Sequence, residues 1–213
     1  MKKKRPKLKI YKKGIEASVV YADKDKKIVT KVYESGRHRN PFAFEPITKY
    51  EMQLRFEEIK ELRKKLKNEK EFEIVEPVEI KEGHTVKGKE AIIWKEKQVD
   101  GYSVTQIRKQ WDKVREMADK GNPETMKEYE KLREMVGKDV LPRYIDLEKG
   151  EKMVDKFYEK VKEIREKIKE AYSKNPELSE QKIEKAASNY IWDPKRKKFV
   201  VVDVIRPDEY TGF

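Results

Sequence analysis

Few residues of this chain have the types and the spacing that enzymatic chemistry requires. Glu79 and Lys81 stand two positions apart in a β-rich run, which is the Glu-x-Lys spacing of some metal-dependent nucleases. Such a site also needs an upstream acid, normally Asp, to share the magnesium ion. No Asp lies between Asp25 and Asp100, and a chain rich in Glu and Lys forms such triplets by chance. Nuclease chemistry is therefore the third hypothesis for function.

Two further residues are candidates for catalysis, and the composition excludes most other chemistries. His84 lies in a polar turn, where it can act as a general base but is more simply interpreted as a surface histidine. Asp203 is an isolated carboxylate on the last predicted strand. The chain has no Cys and only two His, so disulfides, thiolate metal sites and multi-histidine metal sites are excluded. We find no Gly-rich phosphate-binding loop, expect no cofactor and no metal, and favour a non-enzymatic protein.

The chemistry that the sequence favours is the binding of phosphate by a localised basic segment. The formal net charge is +12. Residues 1–15 hold eight Lys and Arg and no acid, residues 16–40 add a net charge of two, and the remaining 173 residues are close to balance. Bases that neutralise phosphates release counterions, which gives salt-dependent affinity with little sequence preference. Residues 1–15, named the basic arm, are therefore predicted to bind nucleic acid.

The predicted contacts continue from the basic arm into the segment that follows it. They comprise Lys2, Lys3, Lys4, Arg5, Lys7, Lys9, Lys12, Lys13, Lys24, Lys26, Lys27, Arg37, His38, Arg39 and Asn40. The stretch up to Lys31 can extend this footprint. Aromatic residues among the bases can stack on unpaired nucleotides; these are Tyr11, Tyr21, Tyr33, Phe42 and Phe44. The pattern does not separate DNA from RNA or from a ribosomal particle, and the alternative is a solubilising tail with the aromatics in the core.

The elements that must position these residues begin with a β-hairpin. Residues 17–21 and 28–33 are β-rich runs around a polar turn of Asp and Lys. Further strands are predicted over residues 72–80 and 90–97. Pro77 places the first of these at a sheet edge or at a bulge, because proline cannot donate to a ladder.

Capping-box spacing and apolar periodicity predict the helices. Thr48 and Glu51 predict a helix start, and the helix is expected to run to about Lys67. Its predicted apolar side consists of Tyr50, Leu54, Ile59, Leu62 and Leu66. A second capping box over residues 103–106 starts a helix that ends at Gly121, and its periodicity places Trp111 in the core. The helix that follows Asn122 and Pro123 carries four Glu residues, which argues against a DNA-reading helix-turn-helix.

The longest predicted helix covers residues 149–173 and has an apolar residue every three or four positions. This stripe fits nearly three heptads, so the helix can form a homodimer through a coiled coil. The same stripe is expected of a helix laid along the domain's own sheet. A shorter helix through Ile183 and Ala187 and a closing hairpin over residues 190–205 follow. The second functional hypothesis is a structural or adaptor protein, cellular or virus-encoded, that assembles through its helices.

Together the pattern predicts an α+β fold. The N-terminal and C-terminal β-hairpins contribute to one antiparallel or mixed sheet, packed against about five helices, with the basic arm at the start. Residues 1–40 form the arm and hairpin, residues 41–213 form the body, and no Gly/Ser linker divides them, so one domain is expected. Abundant Lys and Glu without Cys is typical of thermophiles. No apolar run approaches a membrane span, and a cytoplasmic protein is predicted.

Overall fold

The computed structural model describes residues 9–12, 19–23, 27–34, 48–85, 88–172, 183 and 185–205. Within these residues the chain forms four α-helices and nine strands in two sheets, which confirms the α+β class. The strands are β1 (Lys9–Lys12), β2 (Val19–Asp23), β3 (Ile28–Glu34), β4 (Phe72–Ile74), β5 (Pro77–His84), β6 (Glu90–Lys97), β7 (Tyr102–Ser103), β8 (Tyr190–Asp193) and β9 (Lys198–Val201). The helices are α1 (Lys49–Lys65), α2 (Val104–Asp119), α3 (Thr125–Val136) and α4 (Leu147–Tyr172).

The described chain divides into two compact units, each with its own sheet. Unit 1 comprises the described residues before Leu62 together with Val75–Gln98. Unit 2 comprises Leu62–Ile74 and the described residues after Gln98. The prediction of one sheet shared by the first and last hairpins is therefore wrong. The division into residues 1–40 and 41–213 stays a prediction.

Unit 1 is a five-stranded antiparallel sheet with one helix packed on it. The strand order is β1-β2-β3-β6-β5, and every neighbouring pair is antiparallel. Met52 and Phe56 of α1 are buried, and the Phe56 ring meets the Trp94 ring edge-on at a centroid distance of 5.4 Å. Because side chains alternate along a strand, Trp94 and Glu96 point to the same face of β6. Residues of α1 therefore cover the face that carries Glu96.

Helix α1 begins at the predicted capping box, and its predicted apolar side is correct in the second half of the helix only. The Glu51 amide donates to Thr48 Oγ1 at 3.2 Å, and the Thr48 amide donates to Glu51 Oε2 at 3.0 Å, so this capping box is confirmed. Ile59 and Leu62 are buried as predicted, whereas Tyr50 is 71% exposed, Leu54 is 45% exposed, and Met52 is buried in their place. The step of five residues from Leu54 to Ile59 breaks the helical spacing of three or four, so the two halves of the predicted side face different directions.

Unit 2 contains a four-stranded mixed sheet and three helices. The strand order is β4-β9-β8-β7, with β4 parallel to β9 and the other pairs antiparallel. The predicted strand over residues 72–80 is in fact two strands in different sheets: β4 ends at Ile74, and β5 begins at Pro77. Proline is tolerated at the first position of a strand, where its missing N–H interrupts no ladder. Pro77 therefore marks the change from one sheet to the other.

The core of unit 2 is built from aromatic residues of the helices and the sheet. The Phe157 ring of α4 packs edge-on against Trp192 and Phe199, with centroid distances of 5.2 and 5.6 Å. Trp111 of α2 is completely buried, which confirms its predicted core position. A Cβ on Gly150 of α4 would lie 2.2 Å from the Trp111 ring. The absence of a side chain at Gly150 therefore lets α4 approach α2 closely.

The second predicted capping box is confirmed, whereas the number of helices differs from the prediction. The Gln106 amide donates to Ser103 Oγ at 3.2 Å, and the Ser103 amide donates to Gln106 Oε1 at 2.8 Å, which confirms that helix start. About five helices were expected, and the described residues contain four. The predicted short helix through Ile183 lies mainly outside the described residues, and Ala187–Asn189 forms a 3-10 turn.

Candidate nucleic-acid interface

Three of the fifteen predicted contact residues lie within the described chain: Lys9, Lys12 and Lys27. The other twelve lie outside the described residues: Lys2, Lys3, Lys4, Arg5, Lys7, Lys13, Lys24, Lys26, Arg37, His38, Arg39 and Asn40. The structure therefore fixes the attachment of the predicted interface to unit 1 and leaves its contacts as predictions.

The basic arm is joined to unit 1 through strand β1. Lys9 pairs with Ala22 of β2, and Lys12 pairs with Val20, with a shift of register between Ile10 and Lys12. β1 stands at one end of the strand order of this sheet. A basic strand at a sheet end has its backbone fixed on one side by the ladder, which gives the bases beside it a rigid support.

Lys27 is the third described contact residue and lies just before β3. Its side chain is exposed, and its backbone has a φ of 51°. The Lys27 carbonyl accepts a hydrogen bond from the Gln98 amide at 2.7 Å. This bond holds the Lys27 backbone to the end of the neighbouring strand β6. The charge of Lys27 is thus presented to solvent from a fixed position in unit 1.

Lys31 does not extend the footprint, although the sequence placed it there. Its Nζ lies 2.9 Å from Glu96 Oε1, and the two side chains are only 10% and 6% exposed. The Trp94 indole donates to Glu96 Oε2 at 2.9 Å, and the Arg55 guanidinium carbon lies 5.9 Å from the centre of the Trp94 ring. A lysine held in this way has no charge available for phosphate.

Tyr33 is the predicted stacking residue that the structure describes, and it does not face solvent. It is 3% exposed, so no nucleotide can stack on its ring. Phe42 and Phe44 lie outside the described residues, and only the strand positions of Tyr11 and Tyr21 are described. Sequence alternation did not separate Tyr33 from its neighbours, because β3 lies inside the sheet and buries both Val32 and Tyr33.

Many charged residues of the body are neutralised by one another. Lys160 Nζ lies 2.7 Å from Glu71 Oε1, and Lys167 Nζ lies 2.8 Å from Glu69 Oε2, which links α4 to the chain before β4. The hydrogen bond and the charge of Lys160 lower the pKa of Glu71. Because residues 1–15 contain no acid, the basic arm differs from the body in having no such partners within its own segment.

Glu79 and Lys81 lie on β5, and their surroundings are those of an ion-pair ladder. Glu79 accepts a hydrogen bond from Lys95, its cross-strand partner on β6, and lies 3.5 Å from Lys81 Nζ. The hydrogen bond from Lys95 lowers the pKa of Glu79. Among the described residues, no group of three or more His, Asp and Glu can hold a metal ion. The geometry thus gives the nuclease hypothesis no support.

The two other catalytic candidates are also placed by the structure. His84 is exposed at the end of β5, opposite Glu90 of β6. Asp203 follows β9 and has a φ of 48° in a half-buried segment. The two residues belong to different units.

Helix α3 uses one of its acids to pack against α2 rather than to meet a ligand. The Glu128 side chain is 7% exposed and pairs with Lys113 at 3.0 Å and Lys131 at 2.7 Å. Its carboxylate also accepts a hydrogen bond from Gln110 of α2 at 3.0 Å. The bonds from Gln110, Lys131 and Lys113 lower the pKa of Glu128 to about 2. An anionic group at this helix pair disfavours entry into a groove lined by phosphates, as the sequence indicated.

The apolar stripe of α4 is buried inside unit 2. Val154, Phe157, Val161, Ile164 and Ile168 are all 8% exposed or less. Phe157 contacts the rings of Trp192 and Phe199 edge-on, so the sheet of unit 2 covers this part of the stripe. This burial is what the helix-on-sheet alternative requires. The homodimer through residues 149–173 stays a prediction.

One exposed aromatic residue of unit 2 was not among the predicted contacts. Tyr144 is 62% exposed in the connection between α3 and α4, beside the exposed Arg143. The sequence contains a signal for it, because Tyr144 stands outside the apolar periodicity of both helices and two residues after Pro142. Its exposure shows that the ring of Tyr144 fills no core position, unlike Leu141 of the same connection.

Comparison of the chain with models of known families, with curated protein sequences and with solved structures finds no match. Within the described residues, no helix has both the length and the apolar character that a membrane crossing needs. The functional assignment therefore depends on the residues and the geometry described above.

Proposed function

We propose that this protein binds nucleic acid, DNA or RNA, without catalysing a reaction, and that the basic arm supplies the phosphate contacts. The observation that carries the proposal is the position of the arm. Eight bases without an acid lead into and through β1, the strand at one end of the sheet of unit 1. A cluster of bases anchored to a folded unit concentrates positive charge on one region of the surface.

The distribution of charge in the body supports this proposal. Lys31 is buried against Glu96, and Glu79 is shared by Lys81 and Lys95. The carboxylates of these pairs offset part of the positive charge, which weakens the attraction of the body for an external polyanion. The basic arm contains no carboxylate that can do the same. We therefore assign the dominant part of the affinity to residues 1–15 and to Lys27.

The proposal also covers the setting of the protein. A protein that binds nucleic acid or a ribosomal particle in this way works in the cytoplasm, where both are present. The many Lys–Glu pairs on α4 and α1 agree with the ion-pair networks of thermophilic proteins. We therefore infer a cytoplasmic, non-catalytic protein of a thermophile, whose basic arm binds phosphate groups.

The proposal is tested by fluorescence anisotropy against labelled duplex and single strands of DNA and RNA at several salt concentrations. In the arm variant, the six bases of residues 2–9 are replaced by Gln, which leaves the backbone of β1 intact. We expect weaker binding to every sequence and a flatter plot of log affinity against log salt, since each lost phosphate contact on a duplex lowers the slope by about 0.9.

A matched control removes the same charge from the body. Six exposed lysines, each with an acidic partner, are replaced by Gln; they are Lys60, Lys97, Lys120, Lys127, Lys152 and Lys162. Both variants lower the formal net charge of +12 by the same six. The control is expected to keep most of the affinity. Equal losses of affinity in the two variants would show that net charge, rather than the basic arm, determines binding. Full affinity in the arm variant would refute the proposal.

A further inference from the structure

We propose that unit 2 carries a second contact surface, specific for single-stranded nucleic acid, in which Tyr144 stacks on a base. The surface, named the loop–turn surface, consists of residues 138–146 between α3 and α4 and of residues 194–197 between β8 and β9. This inference deepens the proposed function and rests on it, since it names the form of nucleic acid that the protein prefers.

The aromatic part of the surface is Tyr144. Its side chain is 62% exposed, and two apolar side chains of the same region, Val140 and Leu147, are 41% and 40% exposed. An exposed ring on a loop contributes no burial to the core, so its placement needs another explanation. Stacking on an unpaired base is the common use of such rings in proteins that hold single strands without sequence preference.

The cationic part of the surface consists of Lys138, Arg143 and Lys195. All three are exposed, and none has a carboxylate within ion-pair distance among the described residues. Their neighbours are paired: Lys197 with Asp139, and Arg196 with Asp193 at 2.7 Å and with Glu73 at 2.8 Å. Three unpaired bases thus lie on the loop and the turn, and Tyr144 lies on the same loop.

The loop and the turn are held to each other and to the core of unit 2. The Lys197–Asp139 pair joins them directly, and the Trp192 indole donates to the Val136 carbonyl at 2.9 Å. The buried Arg133 donates to the Lys138 carbonyl at 3.0 Å and to the Leu141 carbonyl at 3.3 Å. The backbone that carries the ring and the bases is therefore ordered before any ligand binds, which lowers the entropy lost on binding.

The turn between β8 and β9 is shaped by one buried acid. Asp193 Oδ1 accepts hydrogen bonds from the Lys195 amide at 2.9 Å and from the Arg196 amide at 3.1 Å. Burial raises the pKa of Asp193, and the hydrogen bonds from Arg196 and from these amides outweigh it, so the pKa is lowered overall. The Asp193 carboxylate therefore fixes the backbone of the turn that carries Lys195.

The combination favours a nucleic-acid strand over an acidic protein segment. An acidic peptide would use the bases alone, whereas a single strand uses the bases for phosphates and the ring for a base. A duplex keeps its bases stacked on one another and offers no free base face to Tyr144. The surface therefore predicts a preference for single strands that the basic arm alone does not produce.

The test uses the full chain, a fluorescein-labelled oligothymidylate of about 20 nucleotides, which exceeds the roughly 4–16 nucleotides that one single-strand-binding fold covers, and a duplex of the same length. We expect Tyr144→Ala to weaken binding to the single strand about tenfold and to leave duplex binding unchanged. Tyr50→Ala is the matched control, because Tyr50 is 71% exposed on α1 of unit 1, and it should change neither affinity. Equal affinities of wild type and Tyr144→Ala for the single strand would overturn the proposal.

A second variant separates this surface from the arm. Replacing Lys138, Arg143 and Lys195 by Gln should lower the salt slope for the single strand by about two, at roughly 0.7 per phosphate. The control replaces three paired lysines of unit 2, Lys120, Lys127 and Lys152, and should leave the slope unchanged.

The outcomes distinguish the two proposals. Loss of binding in the arm variant, with no effect of Tyr144→Ala or of the triple variant, would leave the proposed function standing and overturn the loop–turn surface. An effect of Tyr144→Ala and the triple variant on single strands, with full affinity in the arm variant, would support the surface and refute the arm. Polyglutamate that competes as well as the oligonucleotide, and equally for wild type and Tyr144→Ala, would indicate an acidic protein partner and overturn the surface as a nucleic-acid site.

Discussion

Each unit of the molecule contains a tryptophan that donates its indole N–H to a glutamate, and the two glutamates stand in different surroundings. In unit 1, Glu96 accepts from Trp94 at 2.9 Å and is 6% exposed, and Lys31 is its one ion-pair partner among the described residues. In unit 2, Glu151 accepts from Trp111 at 2.7 Å, and its side chain is 36% exposed.

The glutamate of unit 2 also has more than one cationic partner. Arg108 lies 2.9 Å and Arg115 lies 3.4 Å from its carboxylate. The hydrogen bond from Trp111, together with the charges of Arg108 and Arg115, lowers the pKa of Glu151. Because burial and the number of partners differ, we expect the same pair of residue types to be sensitive to substitution in unit 1 and tolerant in unit 2.

The largest effect is expected where the pair is buried and has one partner. Lys31→Met leaves the carboxylate of Glu96 without a counter-charge and should lower the free energy of unfolding by about 3–5 kcal/mol. Denaturant unfolding followed by tryptophan fluorescence measures this. The double variant Lys31→Met/Glu96→Gln keeps an acceptor for Trp94 and should recover most of the loss. A double variant as unstable as the single one would show that the charge is not the cause.

A smaller effect is expected from a substitution at Gly150, which lies next to Glu151 and lets α4 approach Trp111 closely. Gly150→Ala places a Cβ 2.2 Å from the Trp111 ring, and overpacking of this kind costs about 1–3 kcal/mol. This cost opposes the gain of roughly 1 kcal/mol that Ala has over Gly in a helix. Calorimetry should therefore show a net loss or at most a balance. In a Trp111→Phe background, where the ring is smaller, the same substitution should stabilise the protein.

The partners of Glu151 are expected to be individually dispensable. Arg108→Gln should change the free energy of unfolding by less than about 1 kcal/mol, because the pair is partly exposed and Arg115 remains. The same denaturation experiment measures it beside Lys31→Met. A loss as large as that of Lys31→Met would show that exposure does not explain the difference between the two glutamates.

The smallest effect is expected at Glu128, in the slope of stability against pH. The pKa of Glu128 is about 2, below its ordinary value of 4.5. Because the pKa is lowered in the folded state, the ionised carboxylate contributes its full stabilisation above about pH 4.5. This stabilisation is lost as the pH falls toward 2. Glu128→Gln should therefore flatten the decline of stability over this interval, measured by urea unfolding at several pH values. Glu134→Gln, exposed on the same helix, is the control, and identical slopes for both variants would contradict the assignment.

The secondary structure near each local signal was predictable from the sequence. The capping boxes at Thr48 and Ser103 predicted two helix starts, and the stripe over residues 149–173 predicted α4 within two residues at its first end. The position of Trp111 followed from its register with other apolar residues. These signals lie within a few residues of one another, so neighbouring residues decide them.

Other features could not be predicted, because they depend on contacts between distant segments. Periodicity placed Ile59 and Leu62 of α1 in the core, whereas the burial of Met52 in place of Tyr50 and Leu54 depends on how the helix packs on the sheet. Pro77 predicted an interruption, but the existence of two sheets depends on the pairing of β4 with β9, far away in the chain. Of the candidate site, the arm was visible from its charge, whereas Tyr144 became a candidate only when its exposure was known.

By itself the sequence determined the α+β class, the concentration of positive charge in residues 1–15, the absence of Cys and the presence of only two His, because composition and local spacing do not depend on the fold. Only the tertiary structure decided which charges are available. It buried Lys31 with Glu96, paired Glu79 with Lys95, and left Lys138, Arg143 and Lys195 at the surface. The physical reason is that the burial and the pairing of a charge depend on residues that are brought together across the chain, and a one-dimensional pattern does not contain these distances.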